Sequence, residues 1–272
     1  TNFVDSDSGH GTHVTASLLG KNGAAPLSRL IFLDIGFDKG GEEFLYTPHD
    51  LHTHFFEHVR RYTNSRIFSI SWGNDVNEYT DNARMIDEYI WDHPEFNIIV
   101  AVGNEGNRGA GTIGSPATAK NAISVGASIS TFAAYNHYKN TPNVWVDEGN
   151  RFPFSSLSTF SSDAVAAFSS SGPTNDGRIG IDVLSPGTPI ASARALHGCA
   201  KMIRHGTSMS TPLVSGLVAR YRSERPTLTA ASLKAIVACT AVKPARVIKF
   251  MGENFKRDFF FSNIFFRMIS YC

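Results

Sequence analysis

The 272-residue sequence predicts an α/β domain built on a mostly parallel sheet flanked by helices, and three observations lead there. Short apolar, β-branched runs bounded by Gly, Asn or Asp recur along the chain. Amphipathic helical stretches lie between them. The charged share, 18%, is below the ~25% usual for globular chains, which fits elements buried on more than one side.

The strands are expected at RLIFLDIGF (29–37), RIFSISW (66–72), NIIVAVGN (97–104) and NAISVGAS (121–128). Between the first two, Leu51, Phe55, Val59 and Tyr62 recur at helical spacing. Between the next two, Met85, Ile86, Tyr89 and Ile90 form one stripe. Strand and helix in alternation give βαβ units, whose functional groups gather at the carboxyl ends of the strands. Two later helices are expected over 206–224 and 227–242, the second with Thr at its N-cap. The Ser-, Phe- and Asn-rich stretch 128–178 reads as long surface loops with one strand pair. From 243 the character changes: FKRDFFFSNIFFRMISYC holds six Phe in eighteen residues without a usable period. The domain is therefore placed at 1–242, incomplete, with 243–272 a divergent Phe-rich tail that reads either as a final buried segment or as a stretch foreign to the native domain.

The balance of 25 basic against 24 acidic residues, net +1, points to neither nucleic acid nor an anionic membrane as partner. Cys199, Cys239 and Cys272 match no zinc or redox spacing. No stretch approaches the ~18 to 20 apolar residues of a membrane span.

Three segments can carry chemistry. In RHGTSMSTPLVSGLVA (204–219), Gly206 permits a tight turn, Thr207 can cap, and Ser208 stands at the first turn of an apolar helix. Unpaired N–H groups and the positive dipole end favour a nucleophilic oxygen there, and the Ser208 N–H can bind an oxyanion. A plain capping serine explains the same residues. In AVGNEGN (101–107) a buried strand ends in Gly103 and exposes Asn104, whose amide can donate to an oxyanion; a simple turn explains it equally. His10, in GHGTHV, is of the type that serves as general base to a serine. A metal held by His10 and His13 would need further ligands, and the H-E-x-x-H pattern is absent. His49, His52, His54 and His58 read as a solvated helix face, with nothing acidic or thiolate converging on them.

Taken together, GHGTHV, SWGN, AVGNEG and GTSMSTP resemble the histidine, substrate-strand, oxyanion and serine motifs of the subtilisin-like serine proteases, the subtilases. FSSSGPTNDGRIGIDVLSPGTPI resembles the segment before the serine motif, so the resemblance runs from Gly9 to about Val242. It is most like the branch whose catalytic domain is followed by a β jelly-roll. The resemblance implies a three-layer fold and a serine endopeptidase acting through a Ser-His-Asp triad and an acyl-enzyme. His10 would be the base, Ser208 the nucleophile and Asn104 the oxyanion donor. Ser71, Trp72 and Gly73 would form one wall of the substrate cleft, facing Ala101, Val102 and Gly103. Polypeptide substrates, a secreted or secretory location and calcium as a possible structural ion follow from the same resemblance, with no cofactor required. Chain order agrees: His10 precedes Ser208 by 198 residues, as in the subtilisin order Asp, His, Ser. An α/β-hydrolase esterase fails, since no His follows His205.

The family pattern is interrupted in one place. Its acidic partner lies roughly thirty or more residues before the histidine motif, whereas nine residues precede His10. Asp5 and Asp7 resemble the polar loop before that motif and are not assigned the role. The expectation is an N-terminally truncated domain missing its first strands and the carboxylate that fixes the His tautomer. Loss of that carboxylate alone lowers the rate of subtilisin ~10⁴-fold, so the chain itself is expected to be inactive. The alternative is a catalytically dead peptide-binding or regulatory pseudoprotease. Thr15, Ala16 and Ser210 replace the family's usual Ala, Gly and Ala. These are small-for-small changes, although the Ser210 hydroxyl needs a hydrogen-bond partner in a packed helix.

Overall fold

Apolar runs become strands here only where a ladder partner completes them. The structure, a computed structural model, describes residues 9–39, 42–131, 145–146, 164–242 and 246–247. Its central sheet takes β3 (Ile67–Ile70), β4 (Asn97–Ala101), β5 (Ile123–Ile129) and β8 (Val183–Thr188), each parallel to the next. β7 (Ala164–Val165) adds to β5 antiparallel at Ser128 and Val165, and β11 (Arg246–Val247) lies parallel to β7. A smaller sheet joins β6 (Trp145–Val146), β10 (Lys201–Arg204) and β9 (Ile190–Ala193), with β9 and β10 antiparallel. A separate hairpin pairs β1 (Gly36–Lys39) with β2 (Glu42–Leu45).

Every residue of β4 and β5 is buried, as a sheet covered on both faces requires. The period-2 alternation then sorts side chains between two cores. Ile99, Ile123, Val125 and Val183 pack against Val214, Val218, Leu233 and Val237 of the helices α4 (Thr207–Glu224) and α5 (Ala230–Thr240). Ile98, Val100 and Val102 face the opposite way, toward Phe56, Ile86, Tyr89 and Phe96. Those residues come from a π-helical turn (His52–Glu57) that runs into α2 (His58–Thr63), from α3 (Asp81–Asp92), and from the approach to β4. Helix α1 (His10–Leu19) packs on α4 and β9. The result is the expected three layers. Burial is worth about 1.5–3 kcal/mol for each large aliphatic side chain, so these two cores carry the fold.

Both late helices lie as read. Thr229 caps α5, its side chain accepting a bond from Ser232 N at 3.1 Å. The Ser210 hydroxyl finds its partner in the carbonyl of Ser185 at 2.9 Å, in full burial.

Two expectations are corrected. The run 29–37 is not a strand over its length: only Gly36 and Phe37 enter one, β1, and 29–35 has no regular structure, leaving Leu30, Ile31 and Phe32 exposed. Among the described residues the run finds no ladder in the central sheet, whose edge strand β3 is hydrogen-bonded only on its β4 side. The histidine group is not wholly a solvated face either. His49, His54 and His58 are exposed, but the His52 Nε2 is 2.5 Å from Met85 O and the ring packs on Tyr89 with centroids 5.5 Å apart. Most of the stretch 128–178 and all of the Phe-rich segment 255–272 lie outside the described residues.

Asp87 on α3 anchors the turn that enters β5. Its carboxylate accepts from Lys120 N at 2.9 Å, Asn121 N at 2.7 Å and Tyr79 Oη at 2.8 Å, while being almost fully buried. Burial, with the Asp87 bond behind it, pushes the Tyr79 phenol up to about 12. Asp87→Asn puts an NH₂ group against backbone donors, and is expected to cost about 3 kcal/mol in urea unfolding. A midpoint equal to the wild type would remove Asp87 from this role.

Candidate active site

Apart from His10, which opens α1, the candidate residues lie at the carboxyl ends of β3 and β4 and at the start of α4, where a parallel sheet leaves room for function. Four N–H groups open a helix without intrahelical acceptors. At α4 three of them are taken by fixed partners: Gly206 N donates to Gly187 O at 3.0 Å, Thr207 N to Asn104 Oδ1 at 2.9 Å, and Met209 N to Gly206 O at 3.1 Å. The N–H of Ser208 has no acceptor among the described residues. It is the donor left over at the positive end of an 18-residue helix.

Gly206 makes this entry possible, with φ 150°, a conformation that L side chains rarely adopt. Thr207, expected as a cap, does not cap. It is the first helical residue, and its hydroxyl donates to Asn104 Oδ1 at 3.1 Å while accepting from Gly103 N at 3.3 Å. The two bonds to Asn104 Oδ1 fix that amide, so Nδ2 is the group left to donate. Two donors, Asn104 Nδ2 and Ser208 N–H, thus stand free at the start of α4 among the described residues.

Pro212 contributes through what it lacks. Having no N–H, it leaves the carbonyl of Ser208 without its i+4 donor. Ser71 Oγ supplies one at 3.1 Å, and Ser208 Oγ donates in return to Ser71 O at 3.1 Å. This reciprocal pair seats the first turn of α4 on the end of β3. The sequence signal was present in the spacing of Ser208 and Pro212, four residues apart.

Trp72 is half-buried and edge-on to Phe55, with ring centroids 6.4 Å apart. Gly73 is exposed and presses on the 115–116 turn, where an added Cβ would lie 2.8 Å from Ser115 O. Gly103 adopts φ 103° and accepts Ser170 N at 3.0 Å. Val102 departs from the expected wall: its side chain is fully buried in the core, and its backbone is spent on Val125 O and Gly114 N. Ala101 is likewise buried, as the last residue of β4. Sequence reasoning missed Ser170, whose hydroxyl accepts from Glu105 N at 3.0 Å and so supports the Asn104 loop.

His10 opens α1 just after Gly9, which sits in the left-handed region at φ 61°. One turn on, His13 is fully buried, and desolvation together with the Arg204 cation lowers its pKa to about 4. Asp5 and Asp7 lie outside the described residues. Among the described residues no group of three or more His, Cys, Asp or Glu converges to hold a metal, and no calcium site is assigned. Nor is any helix there long and apolar enough to cross a membrane.

Comparison with known proteins agrees with this geometry. The model of the subtilase family, Peptidase_S8, matches residues 1–258. Subtilisin of Bacillus pumilus is 26% identical over 262 residues, covering 94% of this chain and 75% of that protein. The serine protease/ABC transporter B family protein tagD of Dictyostelium discoideum is 27% identical over 288 residues, 78% of this chain but 15% of its own length. The chain therefore spans a small part of such longer relatives. Among solved structures, the S41 psychrophilic protease superposes with a TM-score of 0.61 at 23% identity, over 85% of this chain and 69% of that one. The prenylagaramide maturation protease PagA gives 0.60 at 20%, over 86% and 72%. With a family match spanning most of its length, the chain belongs to the subtilase family.

Proposed function

We propose that the chain is the peptidase domain of a serine endopeptidase, cleaving polypeptides through an acyl-enzyme on Ser208. The observation that carries it is the donor accounting at the start of α4, where, among the described residues, Ser208 N–H lacks an acceptor beside an amide, Asn104, held by its oxygen. Ser208 Oγ leaves Ser71 O and attacks the peptide carbonyl while His10 takes its proton. The carbonyl oxygen, now an oxyanion, accepts from Ser208 N–H and Asn104 Nδ2. His10 then returns the proton to the departing amine, and water repeats the sequence to release the acid. An extended peptide would line up along 71–73 as an added strand. A secreted or secretory setting accords with the family.

The proposal includes a missing part. No residue of the chain is assigned as the acid that orients His10, so the chain alone is expected to work ~10⁴-fold below a complete triad. The second reading, a pseudoprotease that retains the cleft and binds peptides without cutting them, draws on the same observation. Phosphonylation separates the two. Incubated with a fluorophosphonate, the folded chain is expected to take up one label, mapped to Ser208 by mass spectrometry, slowly and not at all in Ser208→Ala. A folded wild-type chain that stays unlabelled after prolonged exposure would establish the pseudoprotease reading instead.

A further inference from the structure

A fully buried imidazole at His13 occupies a position where Leu or Phe would fill space without desolvating a polar ring. Its contacts point to a reason. Nε2 lies 3.1 Å from Ile190 O on β9 and 3.2 Å from Met202 O on β10, two carbonyls that only accept. The ring therefore carries its proton on Nε2, and Nδ1 remains a buried lone pair with no partner among the described residues. Helix α1 is held by a return bond, since His13 O accepts Ser192 Oγ at 2.8 Å. A third point of contact lies at Gly9, where an added Cβ would stand 2.8 Å from Ala195 Cβ. The first turn of α1 is thus fastened to the β9–β10 hairpin at three places.

That hairpin is not remote from the nucleophile. β10 ends at Arg204, and the chain passes through His205 and Gly206 directly into α4 and Ser208, with Gly206 N pinned to Gly187 O. His10 stands at the head of the fastened turn, one helical turn before His13. The His13 ring bonds to both strands of the hairpin at once.

We propose that His13 is a positioning residue that sets the place of His10 relative to Ser208, by tying α1 through its Nε2–H to the hairpin that leads into α4. The inference rests on the reading of His10 as base and Ser208 as nucleophile. His13 touches no substrate; it acts through the helix it holds. A donor at the Nε2 position is what the role requires, so Gln, whose amide nitrogen reaches that position, preserves it, and Phe, which fills the volume without a donor, does not.

The test compares His13→Phe and His13→Gln in the intact chain by NMR of isotopically labelled histidine rings, with His10 assigned by its loss in His10→Gln. His13→Phe is expected to move the His10 titration midpoint by about half a pH unit or more while the core methyl spectrum stays in place. His13→Gln is expected to restore the wild-type midpoint. Phosphonylation of Ser208 should fall at least about tenfold in His13→Phe and recover to within about threefold in His13→Gln. A His10 titration unchanged in His13→Phe, or displaced as far in His13→Gln, would overturn the proposal. If His13→Phe does not fold, His13→Gln decides alone: a wild-type His10 signal supports the role and a displaced one ends it. A wild-type chain that takes up no phosphonate would overturn the protease reading, and the His10 titration would still decide the role of His13.

Discussion

Gly114→Ala is expected to lower stability by roughly 3 kcal/mol or more, enough to unfold a large fraction of a marginally stable domain. A Cβ at Gly114 would lie 2.0 Å from Asn74 O and 3.1 Å from Asn74 C, and both are backbone atoms with no rotamer to yield. The segments 73–77 and 111–115 are moreover stitched together. Asn74 N donates to Ser115 O at 2.9 Å, Ser115 N to Val76 O at 3.0 Å, and Asn77 Nδ2 to Gly111 O at 2.9 Å. Separating them to admit a methyl group breaks those bonds and shifts Gly73, at the edge of the proposed cleft. Gly36→Ala serves as the control, since its nearest new neighbour is Asp34 Oδ1 at 3.4 Å. Denaturant midpoints of the two variants give the comparison. A Gly114→Ala midpoint as close to wild type as that of Gly36→Ala would show that the two segments part easily.

Acid should destabilise the protein well before its carboxylates titrate. The unfolded chain protonates His13 near 6.5, while the folded protein resists until about 4, because burial and then the Arg204 cation oppose the charge, with His10 adding a smaller repulsion. The Ile190 and Met202 carbonyls act in the other direction and are outweighed. Below pH 6.5 the unfolded state therefore binds more protons than the folded one, and stability falls as pH falls. The contribution is fully present above 6.5, and about 3 kcal/mol of it is gone by pH 4. Urea unfolding at pH 8 and pH 4.5 measures it. Gln at position 13 does not titrate, so His13→Gln should flatten this part of the profile. An equally steep loss in that variant would assign the acid sensitivity to other groups.

These two sites mark where the sequence was legible and where it was not. β4 and β5 were plain because full burial leaves uninterrupted apolar runs, and α4 and α5 because one face of each repeats at helical spacing. The run 29–37 carries the same apolar signature, but periodicity reports a wish for burial and says nothing of whether a neighbouring strand is there to pair with. Of the candidate site, residue type and local turn chemistry drew notice to His10, Asn104 and Ser208, and only the motifs taken together gave them roles. Thr207 was misread as a cap, and Val102 as cleft wall, because spacing does not reveal which backbone groups a distant segment has already claimed. His13 was weighed only as a metal partner of His10; its role depends on two carbonyls 177 and 189 residues away in the chain.

The spread of the site along the chain also sets when it can exist. His10 and Ser208 are 198 residues apart, and at about 5–20 residues per second a ribosome needs about 10–40 s to go from one to the other. Once residue 129 has been made, β3, β4 and β5 can pair, while the hairpin that holds α1 and the helix that begins at Thr207 are still to be synthesised. Ser208 is thus the last of the candidate residues to be synthesised, and on the proposed reading the growing chain has no cutting centre while its own unfolded segments lie exposed beside it.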